Sequence, residues 1–560
     1  MASSSPFDDI VQAVPAFGTA LKLHGAGDLA KARAAYLELI DDPALTAACL
    51  HQLGMIAAAK GQHGRAAELF GRAVRLDPAL VIARLNYSAA LDRAGNPAGA
   101  AAALIELGCM LQMAGRRHDE AAAIYRRVLE RDPLNYPAHV NLGTALVLLD
   151  QSAAAVPHLL TATMLYGRLF VEVGVFARGI ARRLRDRIDG LPKPESLPQG
   201  PPNGAIEKIE EALTTLGKAL TELGCAEEAL ACHRMSVGLS PGYALGHWNL
   251  ALALLTAGEF ASGWRDYEWR WRWPDFPEPR RRLPVPSWRG GAIAGKRIVV
   301  WAEQGYGDAI QFAPLVHKLA EKAGEVLLEA PTPLVRLFRG SFPGLTVIGR
   351  PDAPDKLAAD PLPDLAVPLM SLPQRLGLSL KDLPLACGYL RAADGDAAAW
   401  AERIPPGDGL SAGLVWAGRL AHANDAKRSL AFGTLAPLFD SPGVRWYSLQ
   451  VGAAQDDPVR AGAPVTPLHP HIKDFADTAA AIGRLGLVIT IDSAVAHLAG
   501  AMGKPVWLLL PRISDWRWGN DGSPRPWYPA MRVFRQQSPG DWPGVIATVR
   551  AELARREETL

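Results

Sequence analysis

The sequence predicts an α-helical repeat solenoid followed by two α/β domains, each built on a parallel sheet. Three glycines, Gly27, Gly61 and Gly95, recur at intervals of 34 residues between alanine- and leucine-rich stretches, which is the signature of stacked helix pairs. From residue 295 onward, short β-branched runs alternate with helical stretches, as in parallel sheets. Two of these runs, 298–302 and 487–491, each precede small or polar residues and a predicted helix. In α/β domains, ligands bind at such strand ends.

The composition narrows the class of protein. A chain of 560 residues corresponds to about three or four domains. Its 59 basic and 57 acidic residues give a net charge of +2, so no overall field favours nucleic acid. No run approaches the ~18 apolar residues of a membrane span, and the first residues lack the pattern of a signal peptide. The five cysteines have no metal-ligand spacing. We therefore expect a cytoplasmic protein with no metal site and no nucleic-acid partner.

The solenoid is predicted from helix–turn–helix units. Residues 51–61 and 65–76 form one such unit, which stops at Asp77-Pro78. This pattern resembles a tetratricopeptide repeat. Further turns are expected at Gly115, Gly224 and Gly258, and the interval of only 20 residues before Gly115 predicts one shortened unit. Stacked helix pairs form a concave surface that binds peptides or proteins, so we expect a protein partner there.

The predicted solenoid covers residues 1–160 and continues over 216–273. Residues 161–215 break the pattern and are predicted to be an irregular helical and proline-rich insertion with a mobile loop. Its arginines between 178 and 187 are interpreted as a solvated helix face, with a patch for an acidic partner as the alternative.

A tryptophan-rich stretch, residues 264–273, closes the solenoid. Trp264, Tyr267 and Trp271 have helical spacing, so we expect a capping helix that packs on the next domain. A stacking platform for a ligand is the alternative. Residues 274–288 are expected to be the connection.

The α/β part is predicted to contain two sets of strands separated by a linker near residues 393–408. The expected domains are residues 290–400 and 405–560. The predicted strands are 297–302, 325–330, 345–348 and 365–369 in the first set, and 411–417, 444–450, 485–491 and 506–510 in the second.

Two motifs in this part resemble a known family. Residues 307–314, Gly-Asp-Ala-Ile-Gln-Phe-Ala-Pro, resemble the Gly-Asp motif of the heptosyltransferase-like glycosyltransferases of family 9. Residues 492–499, Asp-Ser-Ala-Val-Ala-His-Leu-Ala, resemble their Asp-Ser-Gly-Pro-x-His-Leu-Ala motif, with Ala494-Val495 in place of Gly-Pro. The resemblance covers residues 295–540.

A narrower resemblance is to bacterial proteins in which tetratricopeptide repeats precede this domain. It rests on residues 301–308, 413–418 and 514–518. The resemblance implies a GT-B fold of two Rossmann-like domains, with the acceptor on the side of residues 290–400 and the nucleotide-sugar on the side of residues 405–560. It also implies inverting transfer from a nucleotide-sugar donor, without a metal ion or other cofactor.

Asp308 is the candidate catalytic residue. By resemblance it is the base that accepts the proton of the acceptor hydroxyl. The residues alone equally predict an N-cap for a helix starting at Ala309. The two roles are compatible.

The donor-binding candidates follow the second set of strands. Ser493 opens a helix whose first N–H groups suit a diphosphate, and Lys427 and Arg428 are the expected charge partners in the loop after strand 411–417. The resemblance also places a phosphate-binding basic residue in that loop. Asp492 is expected to orient its loop or to contact a sugar or ribose hydroxyl. His497 either donates to phosphate or is a packed helix residue.

Further residues are predicted to line the cleft. Residues 305–310 do not form a full dinucleotide-binding glycine motif, because Ile310 stands where the third glycine belongs. Trp516 is expected either to stack on the nucleotide or to be buried. The candidate cleft residues are Gln304, Gly305, Gly307, Gln311, Trp416 and Trp516.

We therefore expect a glycosyltransferase whose repeats recruit a protein acceptor. One alternative is a noncatalytic repeat protein with a degenerate GT-B domain. The other is a lipopolysaccharide-directed heptosyltransferase relative whose repeats serve only for assembly.

Overall fold

The computed structural model describes residues 7–557, except residues 116, 194, 196, 279, 354, 384, 421–423 and 520–526. The chain divides into two compact units, Met1–Pro241 and Gly242–Leu560. Within the described residues the first unit is helical and the second contains ten strands in two sheets. A helical repeat region followed by parallel-sheet α/β structure is the predicted fold class, which is confirmed. No helix in the described part of the chain is both long and apolar enough to cross a membrane.

The first unit contains thirteen described α-helices, most of which pack against the next helix along the chain. They are α1 (Asp8–Ala13), α2 (Pro15–Gly25), α3 (Leu29–Leu39), α4 (Thr46–Ala59), α5 (His63–Leu76), α6 (Val81–Arg93), α7 (Pro97–Gly115), α8 (His118–Arg131), α9 (Tyr136–Leu148), α10 (Ser152–Tyr166), α11 (Val171–Leu184), α12 (Ile209–Glu222) and α13 (Ala226–Leu239). The turn glycines found in the sequence, such as Gly61 with φ 72°, have left-handed backbone, which glycine adopts without strain. Asp150, with φ 57°, takes this position between α9 and α10.

Within a pair, a glycine on the first helix receives a large side chain from the second. A Cβ atom added to Gly54 would lie 2.7 Å from the Phe70 ring, and one added to Gly217 would lie 2.5 Å from the His233 ring. A glycine at this position therefore lets the two helices approach closely, and the same arrangement is found in both pairs.

The shortened unit has a structural explanation. Helix α7 is a single helix of 19 residues that ends at Gly115, and α8 begins at His118, so Gly115 adjoins the connection between these two helices. Gly108, inside α7, receives Tyr125 of α8 in the way that Gly54 receives Phe70. The second half of α7 thus acts as the first helix of the next pair, which removes one turn and explains the interval of 20 residues.

The predicted insertion begins with helical structure, in α10 and α11. In the part without α-helix, Asn203 exchanges backbone hydrogen bonds with Leu134 and Tyr136 at 2.9 and 3.0 Å, which pairs this residue with the start of α9. Arg183 and Arg187 form ion pairs with buried Glu228.

The second unit begins with two helices, α14 (Ala244–Thr256) and α15 (Phe260–Tyr267), and a 3-10 turn over Glu268–Arg272. The sequence pattern predicts that residues 242–273 belong to the repeats. The structure groups them with the α/β part, because Trp264 and Tyr267 are buried in the hydrophobic core of the second unit.

The two sheets of the second unit are entirely parallel. The strands are β1 (Arg297–Trp301), β2 (Glu325–Ala330), β3 (Thr346–Gly349), β4 (Leu365–Pro368), β5 (Leu410–Val415), β6 (Val444–Ser448), β7 (Val465–Pro467), β8 (Leu487–Ile491), β9 (Val506–Leu510) and β10 (Met531–Arg535). The first sheet has the order β3-β2-β1-β4 and the second β10-β9-β8-β5-β6-β7. All eight predicted strands are present. The two unpredicted strands, β7 and β10, are edge strands that are short or interrupted by arginines.

Helices connect the strands on both sheets. They are α16 (Tyr306–Phe312), α17 (Pro314–Ala320), α18 (Thr332–Ser341), α19 (Leu372–Leu376), α20 (Asp394–Ala401), α21 (Asp425–Arg428), α22 (Asp457–Arg460), α23 (Phe475–Gly483), α24 (Ala494–Ala501) and α25 (Trp542–Glu557). The predicted linker near 393–408 contains α20, whose Trp400 is buried. The central strands β1, β8 and β9 are buried, which explains their continuous apolar runs.

Candidate functional site

The two sequence motifs meet in space. Helix α16 begins after β1 and α24 begins after β8, and the two helices pack against each other. At their contact, a Cβ atom added to Gly307 would lie 2.8 Å from Cδ2 of His497. A glycine at this position therefore lets the strand-end loops of the two sheets touch.

Asp308 lies inside α16 rather than before it. The helix begins at Tyr306, not at Ala309, and Asp308 is its third residue. One carboxylate oxygen of Asp308 accepts a hydrogen bond from the backbone N–H of Gly305 at 2.8 Å, which satisfies a donor at the helix start. The other oxygen accepts a hydrogen bond from the guanidinium of Arg517. The predicted capping role is present in this form, and a charged partner is added.

Arg517 is the residue that the sequence analysis missed. Its buried guanidinium donates to Asp308, to Asp515 at 2.8 Å and to the side-chain oxygen of Gln311 at 2.7 Å. Burial alone lowers the pKa of Arg517, but the carboxylates of Asp515 and Asp308 outweigh it and raise the pKa above its usual value. Arg517 therefore joins the Gly-Asp motif to the second sheet's loops. Its signal in the sequence was a cation between two tryptophans, Trp516 and Trp518.

Asp492 follows β8 and lies close to the same charges. Burial, and then the neighbouring carboxylate of Asp515, raise the pKa of Asp492 to about 6, while Arg517 and Arg428 act in the opposite direction. The carboxyl group is therefore poised to change charge slightly below neutral pH.

Ser493 caps helix α24. Its hydroxyl accepts a hydrogen bond from the N–H of Ala496 at 3.4 Å and lies 3.0 Å from the hydroxyl of Thr490. The N–H groups of Ala494 and Val495, at the first two positions of the helix, have no acceptor within it. This end of α24 thus has the geometry of an anion site.

His497 is a packed residue. Its ring is buried, Nδ1 lies 3.0 Å from the hydroxyl of Tyr528, and the ring stacks on Trp518 at a centroid distance of 5.3 Å. Burial, and then the charge of Arg517, lower the pKa of His497 to about 3. The imidazole is therefore neutral near pH 7. This geometry favours the packing role over a charged contact with phosphate.

Lys427 and Arg428 lie in the short helix α21, and residues 421–423 of the preceding loop are outside the described residues. The side chain of Lys427 is exposed. Arg428 is half-buried, and its Nε lies 3.5 Å from the carboxylate of buried Asp425. Asp425 also accepts from the hydroxyl of Ser429 at 3.1 Å. The loop is thus organised around an internal carboxylate.

The two tryptophans proposed for the cleft are core residues instead. Trp416 is 1% exposed, and its indole N–H donates to Asp457 at 3.1 Å. Trp516 is buried and packs edge-on against Trp264 at 5.3 Å. Because both rings are covered by protein, neither is free to stack on a nucleotide. For Trp516, burial is one of the two alternatives that the sequence leaves open.

The remaining cleft candidates surround Asp308. Gln304 has a φ of 65°, and its side-chain nitrogen donates to the hydroxyl of Tyr267 at 2.8 Å. Gly305 is exposed at the start of α16, and Gln311 is buried beside Arg517. The side-chain nitrogen of Gln311 has no hydrogen-bond partner among the described residues. Three of these residues therefore adjoin the ionic contact of Asp308.

The described part of the chain contains no group of three or more His, Cys, Asp or Glu side chains placed to hold a metal ion.

A family model matches part of the chain, and one curated protein is similar to it in sequence. Residues 51–107 and 110–164 match the family model of the tetratricopeptide repeat. Over 347 residues the chain is 28% identical to Protein FlbA of Caulobacter vibrioides, which covers 57% of this chain and 56% of that protein. This chain therefore spans a little over half the length of that relative.

Solved structures are similar to separate parts of the chain. A glycosyl transferase of family 9 from Veillonella parvula is 13% identical, covers 48% of this chain and 98% of its own, and gives a TM-score of 0.33. The ADP-heptose lps heptosyltransferase II of E. coli is 15% identical, covers 47% and 99%, and gives 0.35. YrrB, a TPR protein with an unusual peptide-binding site, is 16% identical, covers 42% and 89%, and gives 0.20. At these scores the likenesses support no statement about substrates. The chain thus carries tetratricopeptide repeats, followed by α/β structure with two parallel sheets.

Proposed function

We propose that the protein is a glycosyltransferase that moves a sugar from a nucleotide-sugar donor to an acceptor. One observation carries the proposal: the segments that follow β1, β8 and β9, strands of two different parallel sheets, bring together Asp308, Asp492 and Arg517. Strand ends of facing α/β domains are where such folds bind ligands. The motifs at 307–314 and 492–499 supply the reaction class by their resemblance to family 9.

Asp308 is proposed to be the general base. Its two oxygens each accept one hydrogen bond, from Gly305 and from Arg517, and each retains a further lone pair for the acceptor hydroxyl. Asp308 takes the proton of the acceptor hydroxyl, and the acceptor oxygen attacks the anomeric carbon of the donor sugar. The bond from that carbon to the diphosphate breaks, and a nucleoside diphosphate leaves. Attack opposite the leaving group inverts the configuration. Inversion, and transfer without a metal ion or other cofactor, are carried over from the resemblance.

The donor is proposed to bind on the second sheet. The N-terminal end of α24, at Ser493, and the basic residues Lys427 and Arg428 would take the negative charge of the diphosphate. Asp492, with a pKa of about 6, would hydrogen-bond a sugar or ribose hydroxyl. His497 would hold α24 against Gly307 rather than contact phosphate.

The acceptor is proposed to be a protein that the repeats recruit. Stacked helix pairs offer an extended concave surface for peptides. Incubating the full chain with a radiolabelled nucleotide-sugar and a cell extract should place label on protein. Label found only in lipopolysaccharide would support the heptosyltransferase alternative instead.

The catalytic proposal is tested with Asp308→Asn. The asparagine oxygen can still accept from Gly305, so the helix start is kept while the base is lost. Release of nucleoside diphosphate should fall about 10² to 10⁴-fold, as for other general bases, with nucleotide affinity by calorimetry unchanged. Asp515→Asn is the matched control because Asp515 also pairs with Arg517 but is not the base, and it should retain most of the rate. Wild-type turnover in Asp308→Asn would remove Asp308 from the mechanism.

A noncatalytic interaction protein is the second candidate. The second motif favours it, because Ala494-Val495 stands where the family has Gly-Pro. Calorimetry distinguishes the two: a folded full chain that binds none of the nucleoside diphosphates or nucleotide-sugars tested is a noncatalytic protein.

A further inference from the structure

The chain that joins α15 to the first sheet contacts the loop that carries Asp308. We name residues 260–282 the capping segment. Its Arg270 donates to Glu303 and to the hydroxyl of Ser371, both at 2.9 Å. The side chains of Arg270 and Glu303 are fully buried. Glu303 also accepts from the N–H of Met370 at 3.2 Å. Arg270 thus links the residues that follow β1 and β4.

The next residue of the same loop is held by two more contacts. The hydroxyl of Tyr267 is hydrogen-bonded to the side chain of Gln304, and the carboxylate of Glu278 accepts from the backbone N–H of Gln304. Gln304 has a left-handed φ of 65°, which residues other than glycine adopt at a cost of about 1 to 3 kcal/mol. Such a conformation persists where surrounding contacts determine it. Gly305, whose N–H binds Asp308, follows directly.

Apolar contacts connect the capping segment to both motif regions. The Trp264 ring packs edge-on against Phe312 of α16 at 5.6 Å and against Trp516 at 5.3 Å. The Phe260 ring stacks on Trp527 at 5.9 Å. Trp516 precedes Arg517, and the indole of Trp527 donates to the Arg517 carbonyl. The capping segment therefore touches the supports of both partners in the Asp308–Arg517 pair.

The segment also reaches the other strand ends of the first sheet. Arg281 pairs with Glu329, a buried residue of β2, and Glu278 lies 3.5 Å from Arg350, which follows β3. A region that would be an open crevice in a free α/β domain is thus covered by the chain itself.

We propose that the capping segment is a positioning element of the transferase site, with Tyr267 and Arg270 setting the conformation of residues 303–305 and through it the placement of the Asp308 carboxylate. The effect of the capping segment on the rate of sugar transfer rests on the proposed function, whereas its effect on the conformation of residues 303–305 does not depend on that function. Residues that the sequence assigns to a protein-binding repeat therefore belong to the support of the catalytic loop.

Tyr267→Phe in the full chain tests this proposal. The substitution removes only the hydroxyl that binds Gln304, and the ring keeps its packing. We expect kcat to fall about tenfold, the factor that corresponds to 1.4 kcal/mol, while the donor KM stays within about twofold. Hydrogen exchange of the amides of residues 303–308 should accelerate by a similar factor.

Tyr125→Phe is the matched control. It removes a hydroxyl that donates to Gln112 at 2.7 Å in the first unit, and it should change neither kcat nor exchange at 303–308. Arg270→Lys, which keeps the charge but loses the two-pronged contact with Glu303 and Ser371, should have a larger effect than Tyr267→Phe.

The exchange measurement separates this inference from the proposed function. If the wild-type protein transfers no sugar, faster exchange confined to 303–308 in Tyr267→Phe still supports the positioning role. Unchanged exchange in this variant overturns the proposal whatever the rate. Unchanged kcat in an active protein overturns it as well.

Discussion

Replacing Arg517 with methionine should destabilise the second unit by about 3 kcal/mol. The methionine keeps much of the apolar stem and removes the guanidinium that joins Asp308, Asp515 and Gln311. A hydrogen bond to a charged group contributes about 1.5 to 3 kcal/mol, and a neutral one about 0.5 to 1.5.

Solvent screens an exposed ionic contact, so the exposure of each partner of Arg517 determines how much its contact contributes to the free energy of unfolding. The Asp308 side chain is 17% exposed, so its bond with Arg517 counts near the lower end of the charged range. The Asp515 side chain is 37% exposed, so its ion pair adds under about 1 kcal/mol. With the bond to Gln311, the sum is about 3 kcal/mol. That value agrees with the cost of about 3 to 5 kcal/mol for removing one partner of a buried pair.

Tryptophan fluorescence in urea measures this effect selectively. All 15 tryptophans lie at residue 248 or later, so the signal reports the second unit. Arg532→Met is the control, because the Arg532 side chain is 51% exposed in the pair with Glu552, and the substitution should cost less than about 1 kcal/mol. Equal losses in the two variants would refute the reasoning, since they would show that burial of Arg517 adds nothing. A wild-type midpoint in Arg517→Met would refute it too.

Three further substitutions test separate parts of the molecule. Lys427→Ala should raise the dissociation constant of a nucleoside diphosphate about 10- to 100-fold by calorimetry, since it removes a charged contact; an unchanged constant would place the diphosphate elsewhere. Gly307→Ala should cost about 1 to 3 kcal/mol in the same urea assay, because its Cβ would lie 2.8 Å from His497, whereas Gly433→Ala, which has open space around it, should cost less. Burial lowers the pKa of His233 to about 4, so between pH 6.5 and 4 the unfolded chain binds a proton that the native one does not. The free energy of unfolding should therefore fall by about 2 kcal/mol from pH 7 to pH 5 through this residue. In His233→Gln, unfolding followed by circular dichroism should show a loss that is smaller by this amount. An equal loss in the variant and the wild type would exclude the histidine as its cause.

The sequence alone determined the features that depend on neighbours along the chain. The 34-residue glycine spacing located the helix pairs, because each turn needs a left-handed residue such as Gly61. Continuous apolar runs located β1 and β8, because strands buried on both faces leave no polar positions. The residues after these strands were identified as the site, since parallel strands end on one side of a sheet.

Only the tertiary structure decided which side chains meet there. The partner of Asp308 is Arg517, 209 residues further along the chain, and no local pattern links the two. The same holds for the contacts of Tyr267 and Arg270 with residues 304 and 303 and for the burial of Trp416 and Trp516. Local propensity and periodicity fix an element and its apolar face, but contacts between elements depend on how separate sheets and helices pack. Ionic pairs and covered rings arise only from that packing.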